Sequence, residues 1–118
     1  MIEDQDARPP GHMKFVRVAG DDELGEGELH GVSVGEVPVL LVRLDGHVYA
    51  LGRICTHEYA DLAEGSVENG CVVCPLHGSK FDLRTGDALT LPAIEPEPSY
   101  KVLIENRVVY VAVQDAEH

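Results

Sequence analysis

The tripeptide Cys55-Thr56-His57 and the hexapeptide Cys74-Pro75-Leu76-His77-Gly78-Ser79 decide the reading of this chain, with sixteen residues separating His57 from Cys74. A Cys-x-His tripeptide cannot present both side chains on one helical face, because helical neighbours lie three or four positions apart. An extended or looped backbone, in contrast, sends positions i and i+2 to the same side, so Cys55 and His57 can address one centre from one loop. In the second stretch Pro75 fixes its own φ and biases Cys74 toward extended backbone, while Gly78 permits a sharp turn after His77. Two loops, each offering one thiolate and one imidazole, predict a metal centre. On spacing alone the donor set fits a [2Fe–2S] cluster with sulfur ligands on one iron and nitrogen ligands on the other. It also fits tetrahedral structural zinc.

Outward from these loops the chain is a succession of short strand patterns and turns. Residues 14–18 alternate, residues 38–44 form a dense apolar run, and Asp45-Gly46 predicts a hairpin into residues 47–51, since both turn residues tolerate positive φ. Asn69-Gly70 predicts a second hairpin joining residues 66–68 to residues 71–73, which places Cys74 directly after a strand. Thr85-Gly86 closes another beyond Phe81, and residues 100–104 and 107–113 form a last one through Glu105-Asn106, their branched residues suiting a half-buried pleat. No long helical period is present; at most a turn of helix is expected near residues 21–24 or 59–62. The expected fold is all-β. Residues 13–118 form a single domain in which a cluster-binding lobe, about residues 51–93, is inserted into a base made by the flanking strands. Residues 1–12, polar and carrying Pro9-Pro10-Gly11, are read as a flexible extension.

Cys-Thr-His followed by Cys-Pro-Leu-His-Gly-Ser resembles the Rieske iron–sulfur motif. The likeness continues through Lys80-Phe81-Asp82, Thr85-Gly86, Leu91-Pro92-Ala93 and Tyr100-Lys101-Val102. Across nearly the whole chain it is similar to the Rieske-type [2Fe–2S] ferredoxins that serve ring-hydroxylating (Rieske non-haem iron) dioxygenase systems. That resemblance implies an antiparallel β-sandwich and one [2Fe–2S] cluster, with Cys55 and Cys74 on one iron and His57 and His77 on the other. It also puts Gly78, Ser79 and Phe81 around the cluster and Pro92 in a third loop covering it. Respiratory and photosynthetic Rieske subunits carry an extra Cys in each ligand loop, joined as a disulfide; here Ala60 and Leu76 stand at those positions. By the same resemblance Ser79 keeps a hydroxyl donor to cluster sulfur, whereas Phe81 replaces a tyrosine donor. Fewer hydrogen bonds to sulfur imply a lower reduction potential than the respiratory type.

The function this implies is one-electron carriage in aromatic catabolism. Electrons would come from a flavin-dependent NAD(P)H ferredoxin reductase and go to a terminal Rieske oxygenase. The His-bound iron would be the redox-active end, and Pro75, Leu76 and Pro92 the apolar rim of the docking patch. No nucleophile or general base with an orienting third residue is legible, so the chain is expected to be a component and not an enzyme. The alternatives are a small Rieske subunit of a nitrite reductase, a redox-sensing Rieske protein and a zinc-stabilised interaction module.

Bulk properties agree with a small carrier. The 118 residues suit one domain with a modest core, to which a bound cluster would add cross-links. Lys and Arg number 9 against 21 Asp and Glu, a formal net charge of -12, which opposes nucleic acid and anionic lipid and suits either basic partner surfaces or simple solubility. No apolar run approaches the ~20 residues of a membrane span, and no signal peptide is legible, so a cytoplasmic monomer is expected. Three cysteines with two assigned to iron leave Cys71, read as a small buried apolar residue on a strand. His12, His30, His47 and His118 are read as surface residues, and Glu58 and Asp61 either as solvated loop charges, the favoured reading, or as carboxylates that lower the local potential and form part of the docking rim.

Overall fold

A computed structural model describes residues 2–4, 13–56, 60–76, 78–90 and 95–114. Among these there is no α-helix. The chain forms β1 (Ile2–Asp4), β2 (Met13–Gly20), a 3-10 turn at Asp21–Glu23, β3 (Leu29–Val34), β4 (Val37–Leu44) and β5 (His47–Gly52). A second 3-10 turn at Leu62–Glu64 precedes β6 (Ser66–Glu68), β7 (Cys71–Val73), β8 (Lys80–Asp82), β9 (Ser99–Glu105) and β10 (Val108–Gln114). Seven strands make one sheet in the order β2-β10-β9-β5-β4-β3, with β1 added beside β9, and β6-β7-β8 make a second, smaller sheet. All these strand pairings are antiparallel. The two ends of the large sheet, β2 and β3, come back into contact, so it curls around its own core.

The apolar run in β4 explains how the two sheets are joined. Val39 and Leu41 pack into the base core with Val34, Val48, Ala50, Val102, Val109 and Val111. Leu40 and Val42, on the opposite face, pack into a second core with Leu51, Cys55, Leu62, Val72, Cys74, Phe81 and Leu83. A strand covered on both faces must be apolar at every position, whereas a half-exposed antiparallel strand alternates. Val39, Leu40, Leu41 and Val42 are at most 1 % exposed, and that double burial mounts the ligand lobe on the base.

Turn chemistry sets the registers. Asp45 and Gly46 take φ of 54° and 81°, and Asn69 and Gly70 take 51° and 79°, the paired left-handed conformations of a tight two-residue hairpin. The last hairpin differs from expectation. Its turn is Asn106-Arg107, φ 53° and 65°, and Glu105 stays in β9 opposite Val108. Asparagine takes the first left-handed position at little cost, which moves the turn one residue along and forces Arg107 into the second.

Two strands were not expected. In β3 Gly31 and the turn residue Gly35 interrupt the apolar pattern, yet full pairing with β4 forms the strand. The other is Ile2–Asp4, within the stretch read as an extension, which pairs with Leu103, Ile104 and Glu105 of β9. The physical reason lies in β9. It pairs with β5 only through Ser99 and Tyr100, which leaves the backbone groups of its far half open to another strand.

Candidate metal centre

The first ligand loop leaves β5 at Gly52 and is closed by its own backbone. The Leu62 N–H donates to the Arg53 carbonyl at 2.8 Å, the Cys55 N–H donates to the Ala60 carbonyl at 2.9 Å, and Ile54 bridges Asp61. The Arg53 side chain donates from Nε to Asp61 Oδ1 at 2.9 Å and from Nη2 to Oδ2 at 2.7 Å. Asp61 Oδ1 also accepts from the Ala63 N–H at 2.9 Å, capping the 3-10 turn. The Arg53 hydrogen bond holds the Asp61 carboxyl below its usual range and raises the guanidinium in turn. Asp61 is thus a paired structural charge, which corrects its reading as a solvated one; Glu58 lies outside the described residues.

The second loop follows β7 directly, as the Asn69-Gly70 turn predicts. The Cys74 N–H donates to the Ser79 carbonyl at 2.8 Å and the Gly78 N–H to the Cys74 carbonyl at 3.1 Å, with Gly78 at φ 75°. This closes a tight loop whose tip exposes Pro75 and Leu76, the latter 59 % exposed. Ser79 and Phe81 are fully buried beneath it. Gly65, at the end of the first loop, lies so close to the Val73 carbonyl that a side chain there would collide with backbone. The two loops are therefore held against each other one residue before Cys74.

A third segment, residues 95–98, crosses behind the first loop. The Thr56 hydroxyl donates to the Glu95 carbonyl at 2.7 Å, the Gly52 N–H to the Pro98 carbonyl at 2.8 Å, and the Glu97 N–H to the Gly86 carbonyl at 2.8 Å. Gly86, at φ 84°, has no room for a side chain against the Glu97 carbonyl. Glu97 itself is buried, 3 % exposed, and its Oε2 has no hydrogen-bond partner. Desolvation pushes its pKa up to about 7 against the opposing hydrogen bond from the Thr56 backbone. Burial, and then the Glu97 charge, also raise the neighbouring Tyr100. Nothing in Pro96-Glu97-Pro98 announces a buried carboxylate; two flanking prolines read as a rigid crossover.

Of the predicted ligands, Cys55 and Cys74 fall within the described residues. Neither is in a disulfide; they are 3 % and 2 % exposed and are brought into one apolar core from separate loops. His57 and His77 lie outside the described residues, as does Pro92. Among the described residues no three His, Cys, Asp or Glu side chains converge. The donor set fits a mixed-ligand cluster: two unbridged thiols share one dry core, and each loop carries its histidine position within three residues of its cysteine. Cys71 stands on β7 as expected but is half-buried, its Sγ 3.8 Å from the Asn69 carbonyl, and burial raises its thiol pKa. Among the described residues no helix is long and apolar enough to cross a membrane.

Comparison with known proteins agrees with this architecture. The family model of the Rieske [2Fe–2S] domain matches residues 14–103. The ferredoxin component of the naphthalene 1,2-dioxygenase/salicylate 5-hydroxylase systems of Ralstonia sp is 36% identical over 102 residues, covering 86% of this chain and 98% of that protein. The ferredoxin of carbazole 1,9a-dioxygenase from Nocardioides aromaticivorans IC177 superposes with a TM-score of 0.80 at 34% identity, over 83% of this chain and 96% of that one. A chain in the complex of reduced oxygenase and oxidized ferredoxin of carbazole 1,9a-dioxygenase also gives a TM-score of 0.80, at 30% identity over 87% of this chain and 97% of that one. An antiparallel base carrying a two-loop lobe, and a family match that spans both, make this chain a member of the Rieske [2Fe–2S] family, whose domain holds one [2Fe–2S] cluster.

Proposed function

We propose that this chain is the ferredoxin component of a ring-hydroxylating oxygenase system, accepting one electron from a flavin-dependent reductase and passing it to a terminal Rieske oxygenase. Cys55 and Cys74 hold one iron, and His57 and His77 hold the other. The observation that carries the reading is the pair of buried, unbridged thiols in one apolar core, on loops that follow a Rieske pattern. When bound, the cluster supplies reversible one-electron chemistry, and neutral imidazoles favour placing the added electron on the iron they bind. The residues of the chain exclude water around the thiolates through Leu40, Val42, Leu62, Val72 and Phe81, and they fix the loops through the hydrogen bonds at Cys55 and Cys74.

The exposed tip formed by Pro75 and Leu76 is the apolar part of the docking patch. A carrier that must dissociate after each electron needs a small and transient contact. We place the protein in the cytoplasm as a monomer that meets its partners by diffusion. The match to free-standing ferredoxin components favours this over the nitrite reductase subunit, and a Rieske family match argues against zinc.

Spectroscopy of His77→Cys tests the ligand assignment. The expected result is loss of the cluster or a marked change in its visible and electron paramagnetic resonance spectra. An unchanged spectrum would remove His77 from the ligand set. Reduction by a reductase and reoxidation by an oxygenase, followed by stopped-flow absorbance, tests the partner assignment.

A further inference from the structure

Arg53 and Asp61 stand at the two ends of residues 54–60, the segment that carries Cys55 and His57. Their side chains meet through two parallel hydrogen bonds at 2.9 and 2.7 Å, the planar fork-to-carboxylate geometry that only arginine supplies. Each partner is also anchored elsewhere. The Arg53 N–H donates to the Pro38 carbonyl of β4 at 3.3 Å, and Asp61 caps the following turn through Ala63. The guanidinium lies directly over Gly31 of β3; a methyl group built on Gly31 would fall 2.6 Å from Arg53 Nε and 2.7 Å from Nη1. Gly31 is not among the residues with positive φ, so its turn-forming freedom is unused. Its missing side chain is what makes room for Arg53.

We infer that Arg53, bedded on Gly31 and clasped to Asp61, is the positioning element that holds the first ligand loop in the shape that retains the cluster and tunes its redox state. The inference rests on the carrier reading above. A loop of seven residues closed only by backbone hydrogen bonds samples many ligand orientations, and closing its ends with a two-pronged ion pair removes that freedom before the metal binds. Groups that orient metal ligands from outside the coordination sphere govern retention as strongly as many ligands do, with losses of about 10–100-fold on mutation.

The test uses the full, cluster-loaded chain and three variants: Gly31→Ala, Asp61→Asn and Arg53→Met. Gly31→Ala alters no charge and lies off the ligand loop, yet it displaces the guanidinium. Expected for all three is a release of iron to a chelator faster by about tenfold or more, with a changed reduced-state electron paramagnetic resonance spectrum. Expected for Gly31→Ala/Asp61→Asn together is no more than the larger single effect, because both break one clasp. Arg53→Lys keeps the charge without the fork and should restore only part of the retention.

Wild-type release and spectrum in Gly31→Ala, or strictly additive effects in the double variant, would overturn the clasp. So would a pure charge pattern, in which Asp61→Asn and Arg53→Met move the reduction potential in opposite directions and Gly31→Ala leaves it in place. A wild-type chain that takes up no cluster would instead sink the carrier reading, and the clasp with it.

Discussion

Replacing Glu97 by glutamine should make the protein more stable at alkaline than at mildly acidic pH, relative to the wild type. Burial raises the Glu97 pKa from 4.5 to about 7. Below pH 4.5 the carboxyl is protonated in both folded and unfolded chains and costs nothing. As pH rises through the window between the two values, the unfolded chain ionises while the folded one keeps its proton, so folding is progressively opposed. Above about pH 7 the penalty is complete. The gap of 2.5 between the cited values, at about 1.4 kcal/mol per pKa unit, sets it at roughly 3 kcal/mol.

Glutamine has nearly the same shape and no charge to lose. Any cost of its own contacts is independent of pH, so it cancels when the difference between variant and wild type is compared across pH. About 2 kcal/mol of the penalty develops between pH 5.5 and 8. With a urea slope of about 2 kcal/mol/M for a domain of this size, the midpoint difference should widen by about 1 M over that range. Circular dichroism and cluster absorbance, followed anaerobically after equilibration, measure it; the chain has no tryptophan to serve as a probe. A midpoint difference that stays flat from pH 5.5 to 8 would refute the buried-carboxylate reasoning.

Further outcomes follow from the same structure. Gly65→Ala should lower stability by about 2 kcal/mol or more and loosen the Cys74 loop, because the Val73 carbonyl it would strike is backbone and cannot swing away; a melting temperature equal to that of the wild type would contradict the close approach. Arg107→Gly should stabilise by up to about 1 kcal/mol by relieving a left-handed non-glycine residue in a two-residue hairpin; destabilisation in a denaturant titration would show that the Arg107 side chain outweighs the backbone term. Electron transfer to a basic partner surface should slow by about tenfold or more between 0.05 and 0.5 M salt, given a formal net charge of -12. A rate indifferent to ionic strength would remove electrostatic steering and leave the metal centre untouched.

The hairpins at Asp45-Gly46 and Asn69-Gly70 and the lobe-on-base plan were legible because each is encoded over a few adjacent residues. Asp45-Gly46 and Asn69-Gly70 carry their positive φ locally, and Cys-x-His needs only an extended backbone to bring two donors together. The last hairpin slipped by a residue because Asn106 can serve either turn position, and pairing of Glu105 with Val108 decided which. β3 was missed because Gly31 reads as an interruption, when its bareness is a seat for Arg53 supplied from twenty-two residues away.

By itself the sequence determined the residues available for chemistry, two cysteines and two histidines in two short motifs, together with an all-β scaffold and an acidic composition. Tertiary structure alone decided which charges are buried and which are paired. Glu97 is buried because Gly52 and Thr56 of the first ligand loop and Gly86 of a separate turn converge on it, and Asp61 is paired because Arg53 is pressed onto a neighbouring strand. Bond-forming donors and turn conformations are properties of the local chain, whereas burial and ion pairing depend on what else occupies the same space, and only the folded arrangement specifies that.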